Sequence, residues 1–278
     1  MRWRRPPSGP PTMDAERAPI TEAAWAELDE EARSRLEPGL AARKVVDFSG
    51  PLGWDYSATN LGRVEPLSGG SDGLTSARRR VLPLVEMRVD FALSRSELAD
   101  LERGADDIDL EPLEIAARRM ARAENRAVFH GWESAGFRGI AESCTHDAIA
   151  LSGDFNAYTG HVAEAVETLL RNGITGPYAL ALAPEQYTGV VQSTEHGGYP
   201  LFDHLRKILQ AGPIVWSPGV HGAVVVSLRG GDFLFESGQD LSIGYSHHDA
   251  ESVSLYLEES FSFRVATPEA ACALTPHA

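Results

Sequence analysis

What is scarce in this chain narrows its chemistry first. There are two cysteines, Cys144 and Cys272, far apart and in no Cys-x-x-Cys pair, so neither a zinc site nor a disulfide framework is suggested and a reducing cytosol fits. No apolar run approaches the ~20 residues a membrane helix needs, and the start lacks the apolar middle of a secretory signal. Cations are in deficit, with 25 Lys and Arg against 40 Asp and Glu and a net charge of -15 at pH 7. Neither nucleic acid nor an anionic membrane is an expected partner, because phosphate binding needs clustered Lys and Arg.

Catalytic motifs are also missing. The chain has no Walker loop, GxGxxG or HExxH. His247-His248-Asp249 is the one dense trio of metal-ligating types, but neighbours on an extended chain point to opposite faces, so it reads as a surface loop. Cys144 with His146 lacks a third orienting group. Glu258-Glu259 and Glu30-Glu31 read as solvated charges. No catalytic residue, metal ligand or cofactor is assigned, and the expectation is a protein that is not an enzyme.

What is present is a series of well-punctuated elements in 278 residues, 43% of them hydrophobic, enough for one large core or two modest ones. Over 222–265, Gly230-Gly231-Asp232 and Ser237-Gly238-Gln239-Asp240 divide apolar runs into strand, turn, strand, turn, strand. In the last of these, Val253, Leu255, Leu257, Phe261, Phe263 and Val265 fall on every second residue, with only Glu259 out of step, so one face is buried. A sheet face of this kind needs a helical cover. The long helix predicted from Asp109 to Gly131 supplies it, with Pro112 in its first turn and Leu113, Ala117, Met120, Ala123 and Ala127 on one stripe.

Residues 1–12, rich in arginine and proline, are expected to be a disordered extension or the product of an upstream start, with Met13 the native one. Thr21 caps a helix carrying Trp25, Leu28, Ala32 and Leu36 and ended by Pro38-Gly39. Residues 48–82 read as a long two-stranded arm with Trp54, Tyr56 and Val64 on it and the run Arg78-Arg79-Arg80 at one edge. An isolated hairpin is marginal in water, so the arm is expected to lie on another subunit. Residues 83–93 alternate as a strand. From 140 to 221 the order helix, strand, helix, strand (Gly160–Leu170, Tyr178–Ala183, Leu201–Leu209, Pro213–Trp216) describes a compact α/β module inserted between the long helix and its sheet.

Several segments, in order, resemble encapsulins, the bacterial nanocompartment shell proteins of family 1 (linocin-like) that share the tailed-phage major capsid fold. They are APITEAAWAELD, ARKVVDFSGPLGW, LADLERGADDIDLEPL, GYPLFDHL, RGGDFLFESGQDLSIGY and LYLEESFSFRVATPEA, between about Ala18 and Leu274. The resemblance implies an α+β fold of the Hong Kong 97 type. Its parts are an N-terminal helix and linker (13–47), an extended arm (48–82), a peripheral domain on a spine helix (83–139 and 222–274) and an axial domain (140–221). It also implies an icosahedral homo-oligomer in the cytoplasm enclosing a cargo enzyme, a dye-decolourising peroxidase or a ferritin-like iron oxidase, held by a C-terminal targeting peptide. By position, Arg43 and Asp47 are implied as polar ends of the peptide groove, Leu36 and Leu40 as its apolar walls, and Ile243 and Tyr256 as contributions from the sheet. Glu195, His196 and Gly197 are implied at a pore. Some encapsulins stack a flavin on a Trp just before the LERG motif; Ser96 stands there, so no flavin is expected. Competing readings are a phage or prophage major capsid protein and a protease-like or bacteriocin-like soluble protein.

Overall fold

The computed structural model describes residues 18–68, 73–194 and 198–276. The extension 1–12 and the pore residues Glu195, His196 and Gly197 lie outside the described residues. Thr21 accepts a hydrogen bond from Ala24 N and opens α1 (Glu22–Leu36), whose stripe Trp25, Leu28, Ala32 and Leu36 is buried as its spacing predicts. A 3-10 turn over Ala42–Lys44 leads to β1 (Asp47–Ser49). The arm follows as β2 (Ala58–Leu67) and β3 (Ser76–Pro83), then β4 (Val85–Ser94), α2 (Arg95–Glu102) and α3 (Glu111–His130). Gly131, at φ 79°, stops α3 in a conformation that glycine adopts without a Cβ clash.

Next come α4 (Ile140–Ser143), β5 (Ile149–Leu151), α5 (Tyr158–Arg171), β6 (Tyr178–Leu182), α6 (Pro184–Gln192), α7 (Leu201–Ile208) and β7 (Ile214–Trp216). The chain closes with β8 (Ala223–Ser227), β9 (Phe233–Ser237), β10 (Ser242–His248), β11 (Ser252–Val265) and β12 (Ala271–Pro276).

A first sheet runs β1-β9-β11-β10, with β4 also paired along β11. β11 is its axis, antiparallel to β4, β10 and β9. The spine helix α3 packs on β4 and β11, and α1 packs on α3, so the predicted cover is in place with a second helical layer behind it. Phe261 stacks on Phe235 at 4.7 Å, and Phe235 on Phe48 at 5.3 Å, carrying the core out to β1.

A second sheet, β5-β12-β8-β6-β7, lies against α5 and α6, and α7 packs on those two helices. Here the structure differs from the sequence reading, which groups all of 222–274 with the spine helix. β8 pairs with β6 and β12 pairs with β8, so both belong to the second sheet. Each residue of β8 is buried, as in a strand covered on both faces. Such a run has no alternation to say which sheet it joins. The chain therefore crosses between sheets twice, and Asp232 ties the crossings together. Its carboxylate accepts two hydrogen bonds from Arg229, both 2.9 Å, while its carbonyl accepts from Ala266 N at 2.8 Å.

The arm is a separate two-stranded sheet. Its root is tied down where Tyr56 and Thr59 hydroxyls donate to Glu236 at 2.5 and 2.6 Å and Thr59 meets Ser262. Beyond the root, Val64 and Leu74 are 65% and 69% exposed.

Candidate functional site

The segment leaving α1 is clamped to the spine helix before it reaches the sheet. Gly39 passes close to Ala121 of α3, where a Cβ would stand 3.0 Å from the alanine methyl. Asn125, fully buried on α3, donates to Gly39 O (2.7 Å) and Pro218 O (2.9 Å) and accepts from Ala42 N (2.9 Å). All three hydrogen bonds serve backbone groups that would otherwise be buried unpaired.

Arg43, one residue on, is the hub. Its guanidinium donates through Nε to Glu124 (2.6 Å), through Nη1 to Asp240 (2.6 Å) and through Nη2 to Glu259 (2.7 Å). The Arg43 side chain is 7% exposed, and those of Glu124 and Glu259 are 0% exposed. The rings of Phe48 and Phe235 sit 5.0 and 5.6 Å from the cation. One cation therefore joins the N-terminal segment, α3, the β9–β10 turn and β11. Breaking such a pair costs far more than an exposed one, because the remaining charge is stranded away from water.

Three carboxyls around one guanidinium carry an excess of negative charge, which acts against ionisation of the buried ones. Burial pushes the Glu259 carboxyl well above the usual carboxylate range, and nearby Glu124 pushes it further; Arg43 opposes both. Glu124 is also raised by burial, against the pull of Arg43. Glu124 Oε1 and Glu259 Oε1 are buried with no hydrogen-bond partner among the described residues, which adds to the cost of ionising either carboxyl. For Arg43, burial alone acts to lower the pKa, but Glu124, Glu259 and Asp240 together raise it, so the guanidinium stays charged.

Glu259 corrects the expectation of a solvated charge. It stands on the inward side of β11, in the alternating series of Leu257 and Phe261, and breaks an otherwise apolar face. That break is the one local sign of the hub in the sequence; Glu124 and Asp240 give none.

The positions implied for a peptide groove fall in different places. Leu36 and Leu40 are core residues, 1% and 3% exposed. Arg43 and Asp47 do not pair; Asp47 instead accepts from Gly231 N at 2.6 Å, fixing the turn before β9. Ile243 stands directly opposite Leu257 and so shares the face of Glu259. Tyr256 stands opposite Gly244, on the reverse face, where the Arg88 guanidinium lies 3.6 Å from its ring centroid and glycine leaves the ring its space. The structure thus brings Leu36, Leu40, Arg43 and Ile243 to the helix-covered side and Tyr256 to the other. Ser96 is exposed in the first turn of α2, its hydroxyl 2.6 Å from that of Ser94.

At the far end of α3, His130 Nε2 accepts from His221 N at 3.0 Å beside a cleft of about 670 Å³ that Arg126, Phe137, Arg138 and Glu142 also line. Burial, with His221 and Arg126 nearby, pushes the His130 pKa down to about 4. Among the described residues no cluster of His, Cys, Asp and Glu is arranged to hold a metal, and no helix is long and apolar enough to cross a membrane.

A spine helix on a sheet, a second sheet with its own helices and an extended arm define the class: this is the subunit fold of tailed-phage capsids. A virus-like particle from Pyrococcus furiosus shares it with a TM-score of 0.59 at 16% identity, over 88% of this chain and 98% of that one. A structure from Mycobacterium phage Bobi matches with a TM-score of 0.55 at 16% identity, over 86% of this chain and 90% of that one. Residues 12–262 match the family described as "Encapsulating protein for peroxidase". The type 1 encapsulin shell protein of Rhodospirillum rubrum is 48% identical over 263 residues, 92% of this chain and 94% of that one. That of Brevibacterium linens is 41% identical over 260 residues, 94% and 97%. The chain belongs to the encapsulin shell protein family.

Proposed function

We propose that many copies of this chain close into an icosahedral, non-catalytic shell in the cytoplasm that encloses a cargo enzyme. The observation that carries this reading is the arm, a hairpin with its apolar side chains in solvent on a body whose own core is complete. Exposed apolar surface of this kind marks a protein interface, and closed homo-oligomers bury it by symmetry. Gel filtration and electron microscopy of the purified protein test the reading. Closed particles are expected, while a monomer or small oligomer overturns it. Particles filled with DNA would favour a phage capsid, against which the net charge of -15 argues.

The family description favours a peroxidase as cargo; a ferritin-like iron oxidase is the other class. We place docking of its C-terminal peptide on the helix-covered side, beside α1 and the 37–47 segment. There Ile243 offers a partly exposed apolar contact and Asp47 a fixed carboxylate. Leu36, Leu40 and Arg43 act from beneath by fixing that surface, and Tyr256 contributes from the opposite face only through the sheet. An Ile243→Asp substitution is expected to abolish capture of a fused targeting peptide while shells still form. Flavin is not expected at Ser96, which offers no ring to stack on; a purified shell with flavin absorbance overturns this.

A further inference from the structure

The register of the arm sets Arg63 directly opposite Arg80, Glu65 opposite Arg78, and Val64 opposite Arg79. Directly opposed residues share a face, and like charges so placed disfavour a hairpin. One face therefore carries Arg63, Arg78 and Arg80. Its one described acid, Glu65, is taken by Arg78 at 3.0 Å. The reverse face carries Val64, Val81 and Ala77 beside Arg79, so the hairpin is apolar on one side and basic on the other. Among the described residues Arg63 and Arg80 make no ion pair. A chain of net charge -15 thus concentrates positive charge on an extension where, among the described residues, Arg63 and Arg80 meet no acid of the body.

The complementary surface is on the same molecule but out of reach. Residues 97–111 hold seven acidic side chains and one arginine. Asp100 pairs with Arg103, whereas Asp106 and Asp107 are exposed and make no ion pair among the described residues. Asp107 also lines a cleft of about 480 Å³ with Glu97 and Asp100. The arm joins β4 at its first residue and α2 leaves from its last, so the strand, at roughly 3.3 Å per residue, holds the two surfaces about 30 Å apart. An arm pointing away from its own acidic segment meets that of another copy.

We propose that the basic face of the arm, through Arg63 and Arg80, docks on the acidic 100–111 segment of a second copy of this chain. The inference rests on the shell reading and adds which surfaces meet and by what force. Single exposed ion pairs contribute little, but a repeated set adds up, and its reach shortens to about 10 Å at 0.1 M salt.

Charge exchange tests it. Two double reversals, R63E/R80E and D106R/D107R, are compared with the quadruple variant and with the neutral R63Q/R80Q, by light scattering and electron microscopy across a salt series. All four positions are exposed, and R63Q/R80Q removes repulsion within the hairpin, so unchanged circular dichroism is expected for it. Each double reversal is expected to raise the protein concentration needed for half-assembly about tenfold or more at low salt, since like-charge contacts suppress association. The quadruple variant is expected to restore assembly, and the differences to shrink as salt rises. A quadruple variant as impaired as the two doubles combined, or reversals without effect at low salt, overturns the pairing. If the unaltered protein forms no particle at any salt concentration, the shell reading itself has failed.

Discussion

Phe261 and Phe263 on β11 are 0% and 1% exposed, whereas Val64 and Val81 on the arm are 65% and 49% exposed, although all four sit in antiparallel strands. The β11 face is closed within one chain, by α3 against it, α1 behind α3 and the Arg43 hub stitching the layers. The arm is hydrogen-bonded strand to strand and anchored at its root, yet neither of its faces is covered. Stability resides in the first region and unspent binding surface in the second, a division suited to a tile that folds alone and is completed by neighbours. Substitutions in the two regions should accordingly separate folding from assembly.

The largest effects are expected in the body. Phe261→Ala should lower the free energy of unfolding by about 3–5 kcal/mol through lost burial and a cavity. Arg43→Ala should cost a similar amount, about 3–5 kcal/mol, because it strands buried carboxyls. Denaturant midpoints for both, set against the unaltered protein, check these values. A drop below about 1 kcal/mol for Arg43→Ala would mean that the hub does not hold the layers.

A smaller, pH-dependent effect sharpens the account of the hub. Glu124 and Glu259 are raised above the usual carboxylate range in the folded chain. Folding therefore retains protons that the unfolded chain releases, and the hub's contribution falls as pH rises from about 4.5 through those raised values. His130 has the opposite sign. Its pKa is lowered to about 4, so its contribution is present above about 6.5 and is lost as pH falls toward 4. Glu259→Gln, which puts an amide in place of a carboxyl that burial holds toward its neutral form, should change stability at neutral pH by only about 1 kcal/mol and flatten the fall on the alkaline side. Unfolding midpoints between pH 4 and 9 read both trends, and an unchanged alkaline slope in Glu259→Gln would contradict the raised pKa of Glu259.

The smallest effect on folding is expected in the arm. Val64→Ser should change the stability of the body by less than about 0.5 kcal/mol and yet slow particle formation in time-resolved light scattering.

The parts closed within one chain were the more legible in the sequence. The alternation of Val253 to Val265 identifies β11 and its buried face, and the stripe from Leu113 to Ala127 identifies the helix that covers it. The arm is legible from its turn residues and its exposed Trp54 and Val64. Elements whose surroundings are non-local are harder to read. β8 is buried throughout, with four apolar residues in a row before Ser227, and gives no clue to its partners 178–182 and 271–274. Neither α2 nor α6 is marked by a strong apolar stripe. Arg43 meets its partners 81, 197 and 216 residues away, and no local spacing encodes that meeting. Glu259 is the partial exception, because a lone acid in an inward series calls for a buried cation.

Deleting the arm between Ala58 and Pro83 and bridging the gap with a short glycine-rich turn tests most directly whether body and arm divide folding from assembly. Mass photometry and electron microscopy of both proteins should show closed particles for the full chain and folded monomers or small oligomers, with native circular dichroism, for the shortened one. Closed particles from the armless chain, or an armless chain that cannot fold, would contradict the account.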